Sequence, residues 1–338
     1  MERVDRAAAV GRRLAHDVTE VIPGERKRVY LRRGDTVGVE HLETLANMGK
    51  EHLVVLDAGQ DVDDQAEGLH ENDAAAVLAA AVAGTGVRTG AAIEGKCDLE
   101  SAVDGLFWAD REGVDALNRA LAGQAAVITR PDRAPVRAGE RLALARIFPA
   151  RVAAAVAAGL GGAPPCLSVV PFRRLRAAVV VTGEEVLAGR IEDAFGPLLA
   201  AKLAPYGSSV GSVRLAGDDR RVIADTLRQL AVDHDLLFAT GGMAVDADDV
   251  TQAAIRLAGV DVRFAGVPMQ PATLLLFGTL GDVPLFGVPA GVLYDRYSSL
   301  DRLLPYVLAG HLPTADEVLG MGVGGMLGAP AAGGRHGG

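Results

Sequence analysis

The clearest pattern lies in the second half of the chain, where short apolar runs alternate with stretches of helical periodicity. Residues 177–181 form an unbroken apolar run ending on Thr182-Gly183, as expected of a strand buried on both faces. Phe195, Leu198, Leu199 and Leu203 then share one helical face, and Gly207 closes that helix. A second strand is predicted over 210–215. After Gly217, Asp218 and Asp219 open a helix whose stripe is Val222, Ile223, Thr226, Leu227 and Leu230. A third strand, 235–239, runs into Thr240-Gly241-Gly242, and a helix follows with Val250, Ala253, Ala254, Leu257 and Ala258 on one side. The last helix is predicted over 293–308, interrupted by Pro305. Strand and helix alternate at βαβ spacing, which predicts a parallel sheet covered on both faces between about 176 and 310.

The first half is less regular. Residues 14–19, 31–37 and 52–56 read as short strands around one helix, with Gly34 and Gly49 as turn and C-cap residues. The polar stretch 57–73 reads as a loop before a helix over 74–83. Strands are expected at 91–93, 125–129 and 141–147, beside a helix around 114–122. The organisation expected is a small α+β region at 1–60, a middle α+β region at 61–173, an α/β domain at 174–315 and a Gly/Ala-rich tail at 316–338.

Composition narrows the function classes. A chain of 338 residues is long for one core, and with 49% hydrophobic but only 4% aromatic residues the packing must be mainly aliphatic. The net charge of −9 argues against nonspecific nucleic-acid binding, so an anionic ligand would need local amides and a few placed cations. Cys97 and Cys166 lack any zinc-like spacing and read as buried small hydrophobes in a reducing compartment. The first residues carry charges of both signs without an apolar signal core, and the expected location is cytoplasmic. The most membrane-like stretch, 152–170, is broken by Gly159, Gly161, Gly162, Pro164 and Pro165, and reads as a buried helix plus a loop. The basic cluster at 173–176 reads as a solvated boundary, with a ligand patch as the alternative.

In a doubly wound sheet, ligands gather outside the carboxyl ends of the strands. The loops expected there are 182–191, 217–219 and 240–249, joined by 267–272 and 287–291. Gly241 and Gly242 would let backbone N–H groups reach a phosphate or carboxylate, with the following helix aiming its positive end at the anion; an ordinary tight turn is the alternative. Asp246, Asp248 and Asp249 crowd that loop; Asp248 or Asp249 could cap the next helix, and an acid beside a phosphate calls for a divalent cation such as Mg2+. Of Asp218 and Asp219, one should cap its helix and the other face the cleft. Arg190 is the obvious cation for anion capture, unless it pairs with Glu192 or Asp193. Proline stiffens the last two loops, and Gly291 permits close approach to the backbone. No nucleophilic Ser/His or Cys/His arrangement stands out among the seven histidines, and His234 reads as structural.

The ordered set Thr182-Gly-Glu-Glu-Val, Gly189-Arg-Ile-Glu-Asp, Gly217-Asp-Asp, Gly241-Gly-Met with Asp248-Asp-Val, Met269-Gln-Pro and Gly287-Val-Pro-Ala-Gly resembles the molybdopterin-binding domain. That domain is shared by molybdopterin adenylyltransferases, molybdopterin molybdenumtransferases and the competence-inducible nicotinamide-nucleotide hydrolases, and the likeness covers roughly 174–312. The first half resembles, less specifically, the N-terminal part of bacterial molybdopterin-binding proteins. The resemblance implies an α/β fold: a three-layer αβα domain with a mostly parallel sheet, preceded by smaller α+β regions. It implies molybdopterin or its adenylylated form as ligand, with molybdate, a molybdoenzyme or biosynthetic partner protein, and a homo-oligomer; no nucleic acid or membrane is expected. The ligand would be held around Thr182, Gly183, Glu184, Arg190, Gly241, Gly242, Met243, Asp246, Pro271, Pro289 and Gly291. Asp218, Asp219 and Asp249 would be the catalytic acids, with Asp249 and Asp218 handling Mg2+.

The chain also departs from the family pattern. It reads Gln270-Pro271-Ala272 where transferases carry Lys-Pro-Gly, and Val288-Pro289-Ala290-Gly291-Val292 where they carry Leu-Pro-Gly-Asn-Pro. Its Gly-Gly loop continues Met243-Ala-Val-Asp246, unlike either transferase type. Three functions follow: an enzyme of cofactor maturation, a non-catalytic carrier or sensor, and a nucleotide hydrolase of the competence-inducible type.

Overall fold

The computed structural model describes residues 2–22, 26–56, 68–243, 250–323 and 326–327. The chain divides into two compact units. Residues 1–102, 108–132 and 139–168 make one, and residues 103–107, 133–138 and 169–338 make the other.

The first unit is antiparallel. Its N-terminal part pairs Glu2–Asp5 with His52–Val55 and Val18–Ile22 with Arg26–Leu31, around a helix at Leu42–Asn47. Leu14 and Val37 are fully buried there but lie outside the strands, so the predicted strands at 14–19 and 31–37 overlap the hairpin only at their ends. The hairpin residues between them carry more charge, and cross-strand pairing rather than burial defines them. A 12-residue helix, Glu71–Val82, then packs on a four-stranded sheet ordered Val87–Ile93, Lys96–Ser101, Arg141–Ile147 and Ala125–Thr129. Lys96–Ser101 escapes a reading based on apolar runs. It buries Cys97, Leu99 and Ser101 and leaves Lys96, Asp98 and Glu100 partly solvated, a strict alternation. Both cysteines are buried and free.

The second unit holds a six-stranded sheet. Its strands are β1 (Arg176–Thr182), β2 (Ser209–Ala216), β3 (Leu236–Thr240), β4 (Asp261–Ala265), β5 (Leu276–Leu280) and β6 (Val283–Val288), in the spatial order β2-β1-β3-β6-β5-β4. The β1/β2, β1/β3 and β3/β6 pairs are parallel and only β5 runs against its neighbours, so five strands end at one edge. The helices are α1 (Glu184–Leu187), α2 (Phe195–Leu203), α3 (Arg220–Ala231), α4 (Val250–Leu257), α5 (Ser299–Leu308) and α6 (Ala315–Leu319).

Alternation along β1 sorts the two faces. Ala177, Val179 and Val181 pack with α2 and α5, alongside Phe238, Phe277 and Phe286. Ala178 and Val180 pack with α3 and α4, through Ile223, Leu227, Ala254 and Ile255. The result is the three-layer αβα arrangement expected, with every residue of β1 except Arg176 buried. On the first face Lys202 pairs with Asp301 at 2.7 Å, and Asp301 also accepts from the Ser298 backbone and hydroxyl, forming the capping box that starts α5. That cap places the helix start at Ser299, later than the sequence predicts. A separate 3-10 turn at Ala290–Leu293 precedes it, residues 294–298 are non-helical, and Pro305 lies inside the helix without ending it. The buried face of α4 is Thr251, Ala254, Ile255 and Ala258, while Leu257 is 45% exposed. Counting only apolar residues rotated the predicted stripe, because Thr251 is a polar residue buried by a hydrogen bond.

Candidate functional site

Strand direction alone gathers the singled-out loops. Thr182, Ala216, Thr240, Ala265 and Val288 close the five like-directed strands, so the segments 183–191, 217–219, 241–243, 266–275 and 289–293 all leave from one edge.

The centre is built by three threonines and two glycines. The Thr182 hydroxyl donates to the Thr240 carbonyl at 3.0 Å and accepts from the Thr251 hydroxyl at 2.8 Å, tying the ends of β1 and β3 to the first turn of α4. Thr182 is therefore committed to protein partners, and its contribution to the edge is to hold the β3 loop in place. Gly241 and Gly242 both adopt left-handed backbone, at φ 84° and φ 46°. A Cβ on Gly241 would stand 2.2 Å from the Thr182 carbonyl oxygen, so only glycine lets the chain pass there. Beside them the Thr240 hydroxyl is fully buried and has no hydrogen-bond partner among the described residues. An unsatisfied buried donor at a strand end is costly in isolation, and it suits a position where a ligand supplies the missing partner.

The acids separate by function. Asp219 accepts from the backbone N–H groups of Arg221 and Val222 and caps α3. Its neighbour Asp218 is exposed, and its backbone N–H donates to the Glu184 carboxylate at 3.1 Å. Glu184 thus braces the Gly217 turn, where a Cβ would meet the same carboxylate oxygen at 2.2 Å. Gly183, at φ 135°, supplies the turn from β1 into α1, and its N–H donates to the Ala216 carbonyl. Arg190 is exposed and forms no ion pair with a described residue; Asp193 instead accepts from Phe195 and Gly196 at the start of α2. Asp246, Asp248 and Asp249 lie outside the described residues. Among the described residues no group of three or more His, Cys, Asp and Glu converges to hold a metal ion.

The Met243 side chain packs into the core. It is 4% exposed in the core beneath α3 and α4, and a Cβ on Gly287 would approach its methyl carbon to 2.6 Å. The two proline loops brace each other. Gly291 lies against the backbone of Ala272, and the Ser299 hydroxyl donates to the Ala272 carbonyl at 2.8 Å. Pro271, after a cis peptide bond, is buried, whereas Pro289 is buried at the end of β6. Ala272 holds φ 69° where the family pattern has glycine, a conformation that an L side chain rarely takes. Thr240, Thr251 and Ala272 are the edge residues that sequence reading missed. The signal for the first two, a threonine closing β3 and another in the first turn of α4, is indistinguishable in the sequence from ordinary β-propensity.

Residues 178–327 match the family model described as "Probable molybdopterin binding domain", and residues 3–57 match one described as a domain of unknown function. A CinA-like protein of Mycobacterium sp. (strain MCS) is 41% identical over 92 residues, 27% of this chain and 20% of that protein. A CinA-like protein of Geobacter metallireducens is 38% identical over 152 residues, 40% of this chain and 37% of that protein. The chain therefore spans well under half the length of these relatives. A molybdopterin biosynthesis enzyme, MoaB, from Thermus thermophilus is 20% identical, covering 41% of this chain and 99% of its own with a TM-score of 0.35. No helix among the described residues is long and apolar enough to cross a membrane.

Proposed function

We propose that the chain, whose residues 178–327 match a model described as a probable molybdopterin binding domain, holds molybdopterin, or its adenylylated form, at the carboxyl edge of the sheet during molybdenum-cofactor biosynthesis. The observation that carries the reading is the Thr240-Gly241-Gly242 turn. It combines two left-handed glycines with a buried hydroxyl that has no partner among the described residues. The glycines leave backbone open to a phosphate, Arg190 is free of described ion partners, and Thr240 offers a donor in a desolvated place where one hydrogen bond counts for more than in water. Bound molybdopterin would supply the dithiolene sulfurs that receive the metal.

Asp218 is the described carboxylate best placed for Mg2+, since Asp219 is used as a cap. Mg2+ commonly needs only one or two carboxylates when phosphate and water complete its shell. Molybdate insertion aided by that ion is the catalytic form of the proposal. A carrier that only binds is the form favoured by Gln270 and Ala272, which stand where the transferases have lysine and glycine. A second reading, a nucleotide hydrolase of the competence-inducible type, is favoured by the CinA-like relatives.

The test is purification of the chain from a host that makes molybdopterin and from one that cannot, followed by oxidation and measurement of pterin fluorescence. Signal near one pterin per chain from the competent host alone is expected. If none is found even after molybdopterin is added back, the proposal fails, and metal-dependent cleavage of nicotinamide nucleotides becomes the assay to run.

A further inference from the structure

A second polar pocket lies away from the carboxyl edge, between the outer strand β2 and helix α3. It encloses about 330 Å3 and is lined by Arg176, Ser212, Arg214, Thr226, Gln229 and His234, with Leu215, Leu230 and Asp233 completing the wall. Arg176 opens β1 while Thr182 closes it, so the arginine end of this pocket stands about 20 Å from the Gly-Gly turn.

Local structure explains why these side chains converge. The β1/β2 register jumps from Ala177 opposite Val210 to Ala178 opposite Ser212, leaving Gly211 as a bulge. Arg176 lies across that bulge, and a Cβ on Gly211 would stand 2.3 Å from its Nε. Beyond the bulge, Ser212 and Arg214 pair with Ala178 and Val180 and so share the face covered by α3. Neither guanidinium forms an ion pair with a described residue, in a protein whose net charge is −9. Two arginines from neighbouring strands that line one pocket form a cationic wall, which an anion between them would neutralise.

The floor of the pocket is held in place by His234. It is 8% exposed, with Nδ1 at 2.9 Å from the Leu230 carbonyl and Nε2 at 3.1 Å from the Ser212 hydroxyl. A carbonyl can only accept, so Nδ1 carries a proton, and Nε2 fixes Ser212 at the pocket wall. The charged groups lining the pocket are Arg176 from β1, Arg214 from β2 and Asp233 after α3.

We propose that this pocket binds a small phosphate-bearing molecule. Its anionic group sits between Arg176 and Arg214. The volume lies near the lower end of ligand pockets, about 300–1,000 Å3, and exceeds what a bare oxyanion fills. An organic body beyond the phosphate therefore fits, against Leu215 and Leu230.

Calorimetric titration of the full chain with adenosine monophosphate and with sulfate tests this. Both probes should bind, the nucleotide more tightly. The R176Q/R214Q variant should lose roughly tenfold or more in affinity for both at an unchanged melting temperature. Tighter sulfate than nucleotide binding would limit the ligand to a free oxyanion and overturn the phosphate-ester assignment. Undiminished binding in R176Q/R214Q, or no binding to the unaltered chain, overturns the site itself.

Discussion

The two units use strands in opposite ways. β1 buries both faces, and every position from Ala177 to Thr182 is closed to solvent. In Lys96–Ser101 burial alternates, with one face against a helix and the other partly in water. The consequence reaches beyond packing. Parallel strands covered by helices on both sides must send all their crossover loops past the same edge, so motifs scattered over more than 100 residues meet there. Antiparallel hairpins return at once and disperse their loops over both ends. A candidate site is therefore legible in the second unit, while the first presents a stable scaffold without a comparable convergence among its described residues.

That contrast can be broken, and the largest effect is expected in the doubly covered core. Phe238 is fully buried and lies near-parallel to Phe286, with ring centroids 6.0 Å apart. Phe238→Ala should cost about 3–5 kcal/mol, read by denaturant unfolding; a loss below about 1 kcal/mol would mean the two-faced core is not the principal source of stability.

The first unit should instead show a pH dependence. Burial, and then the Arg33 guanidinium, lower the His70 imidazole from its ordinary 6.5 to about 4. Above pH 6.5 the ring is neutral in both folded and unfolded chains and contributes nothing. As pH falls from 6.5 toward 4 the unfolded chain takes up the proton first, so stability is lost through that window, on the order of 3 kcal/mol. His70 also accepts from the Asn72 N–H at the start of its helix. His70→Asn keeps a capping side chain and should flatten this part of the profile in thermal melts. An unchanged slope would remove His70 as its source.

At the carboxyl edge, Gly241→Ala places a Cβ into the Thr182 carbonyl at an unfavourable φ. A cost of about 2 kcal/mol, together with weaker pterin retention, is expected; a neutral melt would show that the turn can relax. The smallest effect belongs to Asp219→Ala, which loses the cap of α3 at about 1 kcal/mol. Asp218→Ala should leave the melting temperature unchanged, and equal losses for the two would contradict their separate roles.

What could be seen in the sequence follows the same division. Continuous apolar runs and helical stripes placed β1, β3, α2 and α3, and the Gly-Gly turn marked the edge. Of the α3 stripe, Ile223, Leu227 and Leu230 are buried, whereas Val222 is 52% exposed. The α4 stripe was misread because Thr251 is buried for its hydrogen bond to Thr182 rather than for apolarity. Met243 resembled a ligand-loop residue by position, yet Gly287 opens a space that its side chain fills. Arg176 read as part of a solvated boundary, since nothing in its own neighbourhood announces a bulge at Gly211, 35 residues later. These are long-range facts: each depends on what another element brings to the residue.

The central claim, that molybdopterin is held at the Thr240-Gly241-Gly242 turn, is tested most directly by pterin content per chain in Thr240→Val and Gly242→Val beside the unaltered protein. Thr240→Val removes a hydroxyl with no partner among the described residues, without changing the side-chain shape, so folding should be preserved. About one pterin per unaltered chain is predicted, with a clear loss in both variants at unchanged far-UV circular dichroism. Full pterin content in both variants would place the ligand elsewhere and contradict the claim.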